Sequence, residues 1–135
     1  MSTLSHLREL SDAMEDWERY QCVSLKELNT DRDKRNMVLH AMLVSIQASI
    51  DIANHIIAEK ELRKPATYRE SFEILGQSGL IPDGIACELS DLAGFRNVLV
   101  HIYWGLDLEE VHGVLQNDLS VLRAFRDVVK ELLRQ

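Results

Sequence analysis

Apolar side chains recur at helical spacing from residue 37 to residue 57, over about six turns, with no glycine or proline among them. Because they cover much of the helix circumference, this helix should be central and packed on several sides. The rest of the chain contains only two prolines and six glycines, and no segment alternates polar and apolar residues as a strand does. The sequence therefore predicts an all-α fold.

Capping residues, glycines and prolines divide the chain into about five helices. They are residues 3–20, residues 31–61 opened by Thr30 and Asp33, a short helix from the Thr67–Glu70 capping box to Gly76 or Gly79, a helix from Pro82 to His101 or Tyr103, and a last helix capped by Asp107. A chain of 135 residues is long enough for one domain and too short for two. We therefore predict a single-domain helical bundle over residues 1–135.

Charge and cysteine content exclude several classes of protein. The net charge of −7 argues against broad, sequence-independent binding to DNA or to an anionic membrane. Polar residues interrupt every apolar run, and the first residues lack the pattern of a secretion signal, so we expect no membrane span. Cys22 and Cys87 lie in different contexts and favour a reduced, cytoplasmic protein. No Cys or His pair has zinc spacing, so we expect no metal site.

The residues that packing alone does not explain lie between Gly94 and Tyr103. Arg96, His101 and Tyr103 can bind phosphate, transfer a proton and offer a nucleophilic oxygen. At about 100° per residue, Arg96 and His101 lie about 140° apart around one straight helix. One chain therefore does not aim both groups at one atom, and we favour a two-fold dimer in which each chain completes the other's cleft.

Arg96 and His101 can also have purely structural roles, and the predicted central helix carries a rival candidate site. Arg96 can be a surface cation, and His101 can be a core histidine that bonds a carbonyl group. Asp51, Asn54 and His55 form a second polar group on the predicted central helix, with Asp51 and His55 one turn apart. That pair is either a second site or a buried polar seam that orients the histidine.

The segment Arg96-Asn97-x3-His101-x-Tyr103 resembles the Arg-x4-His-x-Tyr motif of HepT-like HEPN proteins. The flanking residues 93–95 and 104–107 resemble that family as well, as do residues 46–57 and residues 65–82. The resemblance extends in order over roughly residues 31–107. The first and last helices are similar to the family only as helices.

The resemblance implies a small, dimeric helical domain in which the motifs of both subunits face a shared cleft. It implies a toxin of a toxin–antitoxin module that acts as a metal-independent endoribonuclease and needs no cofactor. The partner it implies is a minimal nucleotidyltransferase antitoxin, which neutralises the toxin by nucleotidylating the motif tyrosine, here Tyr103. In this chemistry His101 serves as general acid or base and Arg96 stabilises charge on phosphorus. Asn97 supports them by orienting the histidine or by binding a phosphate oxygen.

Two alternatives belong to other functional classes. The chain can be a non-catalytic adaptor of a nucleotidyltransferase, or a helical module that binds a nucleotide through Arg96 and Asn97 without breaking a bond. The acidic balance fits long RNA poorly, because few counterions would be released on binding. For a ribonuclease we therefore expect a small footprint on structured RNA such as tRNA.

Overall fold

The computed structural model describes residues 2–101 and 105–135, and over these ranges it contains seven α-helices and no strand. The helices are α1 (Thr3–Tyr20), α2 (Leu25–Thr30), α3 (Arg32–Glu59), α4 (Tyr68–Gln77), α5 (Asp83–Val100), α6 (Leu108–Asn117) and α7 (Leu119–Leu133). The predicted all-α bundle is confirmed, and α1, α3, α4 and α5 lie within a few residues of their predicted bounds. Ile102, Tyr103 and Trp104 fall outside the described residues.

The predicted number of five helices is too low by two. The segment taken as a polar connector contains α2, which a capping box of Ser24 and Glu27 opens. The predicted last helix is interrupted at Asp118, which ends α6 and precedes α7. Neither feature is visible in the apolar period, because α2 is only six residues long and the buried residues Leu115, Leu119 and Leu122 continue across the interruption.

Side-chain caps fix where the helices begin. Asp31 caps α3 by accepting a hydrogen bond from the backbone N–H of Lys34, so the cap is one residue later than predicted. Thr67 caps α4 as predicted, accepting from the backbone N–H of Glu70 at 3.1 Å. The Glu70 carboxylate pairs with Arg63 instead of reaching back to the cap.

The long helix α3 occupies the centre of the bundle and contacts α1, α2, α4 and α5. Its length and composition would suit a membrane span, but 61% of its most apolar window is buried inside the folded chain. Met42, Ile46, Ile50 and Ile52 are fully buried. The polar residues that α3 does carry therefore lie where neighbouring helices can reach them.

Two helices pack closely against each other and carry most of the candidate site. In α4 and α5, Gly76 lies against Ala86, and a Cβ atom at Gly76 would come within 2.7 Å of the Ala86 Cβ. This close approach brings the start of α4 beside the second half of α5, where Arg96 lies. Cys22 and Cys87 are free and exposed.

Candidate functional site

Arg96 lies near the C-terminal end of α5, and groups on three helices hold its guanidinium group. Its Nε donates to Oε1 of Gln47 on α3 at 2.9 Å, and its Nη1 donates to Oδ1 of Asn97 at 3.4 Å. Its Cζ lies 4.8 Å from the ring centre of Tyr68 on α4, a cation–π arrangement. The side chain is half-buried and directed toward α3 rather than outward, so Arg96 is not a free surface cation.

Gln47 is itself held in one orientation. Its Nε2 donates to Oδ1 of Asp51 at 3.0 Å, one turn further along α3. Because a glutamine amide accepts only through oxygen and donates only through nitrogen, this bond turns Oε1 toward Arg96. Within residues 2–101 and 105–135, two of the five N–H groups of Arg96 are used, and the other three can bind an anion.

Concave surfaces lie on both sides of this arginine. A groove of about 420 Å³ opens where α3, the start of α4 and α5 meet. Its lining combines the mainly apolar residues Pro65, Ala66 and Tyr68 with the polar residues Asn54, Thr67, Ser71 and Asn97. A smaller hollow of about 280 Å³ is lined by Gln47, Asp51 and Arg96 itself, among others. Arg96 therefore contacts the first concavity through Tyr68 and Asn97 and faces the second directly.

His101 directly follows the last residue of α5. Its backbone has left the helix (φ −98°, ψ 40°), and its N–H donates to the carbonyl group of Val98 at 3.3 Å. The side chain is exposed. In the described part of the chain, no side-chain hydrogen bond joins it to Arg96 or to Asn97, the residue expected to orient it. Asn97 contacts Arg96 instead.

The other candidate positions have separate outcomes. Tyr103 lies outside the described residues. Phe95 and Leu99 are buried in the core as expected, whereas Val98, predicted on the same buried arc, is 39% exposed. The dimer inferred from the helix geometry stays a prediction.

The rival pair on α3 does not act together. Asp51 accepts from Gln47, whereas Nδ1 of His55 lies 2.5 Å from the Thr3 hydroxyl on α1. Nε2 of His55 faces Glu59 at 3.6 Å, and its ring lies 5.9 Å from that of His6. Asp51 is therefore connected to Arg96 through Gln47, whereas His55 forms part of the contact between α1 and α3. Over the described ranges, no three His, Cys, Asp or Glu side chains converge as ligands of one metal ion.

Sequence reasoning missed Gln47 and Tyr68, which contact Arg96, and Ser71, which lines the neighbouring groove. The sequence did contain a signal for Gln47, because this residue lies one turn before Asp51 in a helix predicted to be buried. A long amide side chain there needs a polar partner, and Asp51 alone supplies only half of its hydrogen bonds.

Residues 10–129 of the chain match a family model described as ribonuclease HepT-like. The chain belongs to this family. It is 40% identical over 84 residues to the mRNA nuclease HepT of Shewanella oneidensis, a match that covers 62% of this chain and 63% of that protein. It is 27% identical over 93 residues to the tRNA nuclease HepT of Aphanizomenon flos-aquae, covering 69% of this chain and 63% of that protein. These matches span less than two thirds of either relative.

Similarity of structure extends over almost the whole HepT-like chain. It superposes on a tri-AMPylated HEPN toxin of Shewanella oneidensis, solved in complex with an MNT antitoxin, with a TM-score of 0.86 and 28% identity. The superposition covers 97% of this chain and 99% of that toxin. The predicted HEPN-like fold is therefore confirmed.

Proposed function

We propose that this chain is a cytoplasmic toxin of a toxin–antitoxin module, an endoribonuclease that cuts cellular RNA without a metal ion. The observation that carries the proposal is the guanidinium group of Arg96, held by Gln47, Asn97 and Tyr68 in a chain with the Arg96-x4-His101-x-Tyr103 motif. The printed names of the two curated relatives, an mRNA nuclease and a tRNA nuclease, support the same activity.

The residues present supply what RNA cleavage by internal transfer requires. His101 removes the proton from a ribose 2′-hydroxyl, and the 2′-oxygen then forms a bond to the adjacent phosphorus. The bond from phosphorus to the 5′-oxygen breaks, and that oxygen takes a proton from a second histidine. Arg96 binds the phosphate oxygens, on which negative charge accumulates in the transition state. Asn97 supports Arg96 through the Oδ1 contact.

The second histidine is His101 of the other subunit in the dimer that we propose. Because Arg96 turns toward α3 and His101 lies exposed beyond the end of α5, one chain presents them separately. A two-fold axis near this end of α5 would place two arginines and two histidines in one cleft.

Control by an antitoxin follows from the position of Tyr103 in the motif. We propose that a cognate nucleotidyltransferase attaches a nucleotide to its hydroxyl group. The attached phosphate adds negative charge and bulk two residues from His101, and both oppose the entry of an RNA phosphate. The tri-AMPylated toxin of Shewanella oneidensis supports this proposal.

The test is induced expression of wild type, Arg96→Ala and His101→Ala, with growth measured and total RNA sequenced from each culture. His40→Ala and Arg134→Ala are matched controls, because both residues are exposed and lie outside the site. We expect growth arrest and discrete RNA cuts with wild type and both controls, and neither effect with the two site variants. Unchanged RNA in all cultures would reject the ribonuclease and favour the non-catalytic adaptor.

Nucleotidylation is tested by mass spectrometry of the chain after co-expression with the antitoxin. We expect added AMP on wild type and on Tyr20→Phe, and none on Tyr103→Phe. A modified peptide that does not contain Tyr103 would reject this part of the proposal.

The shared cleft is tested by mixing purified Arg96→Ala and His101→Ala proteins. If each site takes groups from both subunits, exchange of subunits restores part of the cleavage that neither variant shows alone. No recovery after exchange, with mixed dimers demonstrated, would place the whole site in one chain.

A further inference from the structure

We propose that the groove beside Arg96 binds one nucleobase of the RNA strand and favours guanine over adenine. The inference rests on the proposed function for its ligand and adds a specificity site to it. The groove volume of about 420 Å³ falls within the range of roughly 300–1,000 Å³ that small-molecule sites occupy.

The groove shares two of its lining residues with the surroundings of Arg96. Tyr68 lies in its wall and also beneath the guanidinium group of Arg96, and Asn97 lies in its wall and accepts a hydrogen bond from Arg96. Arg96 therefore lies next to the groove, and a phosphate bound on the side of Tyr68 and Asn97 would have the groove beside it. In a nucleic acid strand the group next to a phosphate is a ribose with its base.

The chemical character of the lining favours a base over a second phosphate. The described residues that line the groove include no acidic and no basic side chain. A second phosphate would find no cation in the lining, whereas an uncharged base would find the apolar surface of Pro65 and Ala66 together with two amide groups. Single-stranded RNA is usually read in this way, through base faces and base edges.

The side-chain amides of Asn54 and Asn97 each accept a hydrogen bond from another residue of the chain. The hydroxyl group of Ser71, which is 1% exposed, donates to Oδ1 of Asn54 at 2.6 Å. Oδ1 of Asn97 accepts from Arg96. Each oxygen is thus turned toward a donor of the protein, and among the hydrogen bonds of the described residues neither Nδ2 has a partner. The groove therefore offers two N–H donors from two different helices, and a ligand edge with two acceptors suits them.

The two amide donors distinguish guanine from adenine. One edge of guanine carries two adjacent acceptors, O6 and N7, whereas the same edge of adenine pairs the N7 acceptor with an N6 donor. Two amide donors match guanine and would leave an amide facing the adenine amino group. A matched pair of this kind discriminates by about 1–3 kcal/mol, so we expect roughly tenfold tighter binding of guanine.

The experiment measures binding without cleavage. The dimer carrying His101→Ala is titrated with two short, labelled RNA oligonucleotides that differ only in a central guanine or adenine. We expect roughly tenfold tighter binding of the guanine strand, and loss of this preference when Asn54→Leu is added. Asn117→Leu, an exposed asparagine on α6, is the control and should keep the preference. Equal affinity for both strands in the parent protein would overturn the proposal.

A second variant guards against misfolding. Ser71→Ala leaves the Asn54 amide in place but removes the hydroxyl group that orients it, so the preference should weaken while binding persists. A full preference in both Asn54→Leu and Ser71→Ala would also overturn the proposal.

The outcomes separate this inference from the proposed function. A preference for guanine in a wild-type protein that cuts no RNA would reject the ribonuclease and keep the groove. RNA cuts with no base preference, together with equal affinities, would reject the groove and keep the ribonuclease.

Discussion

Gln47 and Arg96 are 49 positions apart in the chain and are joined by one hydrogen bond of 2.9 Å, from the guanidinium Nε to the amide Oε1. The bond connects the most central helix of the bundle to the helix that carries the motif. It holds the side of the guanidinium group that faces the protein and leaves the opposite N–H groups for the RNA phosphate that we propose as its ligand. Gln47 is therefore a positioning residue for Arg96.

Replacing Gln47 by leucine removes this acceptor and also the donor to Asp51. Because a hydrogen bond to a charged group contributes about 1.5–3 kcal/mol, we expect cleavage to fall by roughly tenfold or more. The fall should appear in kcat rather than KM if Arg96 acts, as we propose, on charge that develops in the transition state. Steady-state cleavage of a fluorogenic RNA measures both constants.

The conservative variant Gln47→Glu keeps an acceptor for Nε and should retain more activity than Gln47→Leu. Gln116→Leu, on the exposed face of α6, is the surface control and should leave kcat unchanged. Equal activity of Gln47→Leu and wild type would show that Arg96 needs no help from α3.

Tyr68 supports Arg96 through its ring rather than its hydroxyl group, since the guanidinium carbon lies 4.8 Å from the ring centre. We expect Tyr68→Phe to keep near wild-type cleavage and Tyr68→Leu to lose several-fold, in line with about 0.5–2 kcal/mol for a cation–π contact. The same cleavage assay distinguishes them. A loss of activity in Tyr68→Phe as large as in Tyr68→Leu would assign the effect to the hydroxyl group.

Two glycines in the α4–α5 pair should respond in opposite ways to alanine. A Cβ at Gly76 meets the Ala86 Cβ at 2.7 Å, and neither atom can move without its helix, so Gly76→Ala should destabilise the fold by about 1–3 kcal/mol. A Cβ at Gly94 would overlap the Arg69 guanidinium group. Arg69 is half exposed and flexible, and it can swing outward.

Because alanine is a better helix former than glycine by about 1 kcal/mol, Gly94→Ala should leave stability unchanged or raised. Thermal unfolding followed by circular dichroism compares the two variants with wild type. Equal losses in both would mean that α4 and α5 separate as easily as the Arg69 side chain moves.

Asp118, at the junction of α6 and α7, carries an unfavourable charge. Partial burial raises its pKa above the usual value for aspartate, and the nearby carboxylates of Glu88 and Asp91 raise it further. The folded chain therefore binds this proton more tightly than the unfolded chain, so the fold loses stability as pH rises above the unfolded pKa and the full penalty is present above the folded pKa. Below the unfolded pKa of 3.8 the penalty is absent.

We accordingly expect Asp118→Asn to raise the melting temperature by a few degrees at neutral pH and to have no such effect at the acidic end. Calorimetry of both proteins across this range gives the comparison, with Asp127→Asn as an exposed control. A gain that is independent of pH would trace to helix propensity rather than to charge.

The fold was predictable where local chemistry decides it. The apolar period located α1 and α3, and Thr67 and Pro82 located the starts of α4 and α5, because caps and prolines act on neighbouring residues. The six-residue helix α2 was missed because it is too short to show a period. The break at Asp118 was missed because its flanking leucines keep the helical spacing.

The site was predictable only in part. The motif identified Arg96, Asn97 and His101 as a group, but their partners lie on other helices and are set by packing. A single sequence contains no sign that Gln47 meets Arg96, that Ser71 meets Asn54, or that Val98 faces outward. These contacts depend on how α3, α4 and α5 are arranged around one another.

Gln47, Asp51 and Asn54 follow one another at helical spacing along a single stripe of α3. The backbone amides of this helix should exchange with solvent only when the whole chain unfolds, because α3 is covered on several sides. The residues of α3 that hold Arg96 thus lie in the part of the fold that should unfold last. His101 lies outside that part, beyond the final residue of α5. Warming or mild denaturant should therefore change the surroundings of His101, the proposed proton-transfer group, well before Arg96 loses its contacts.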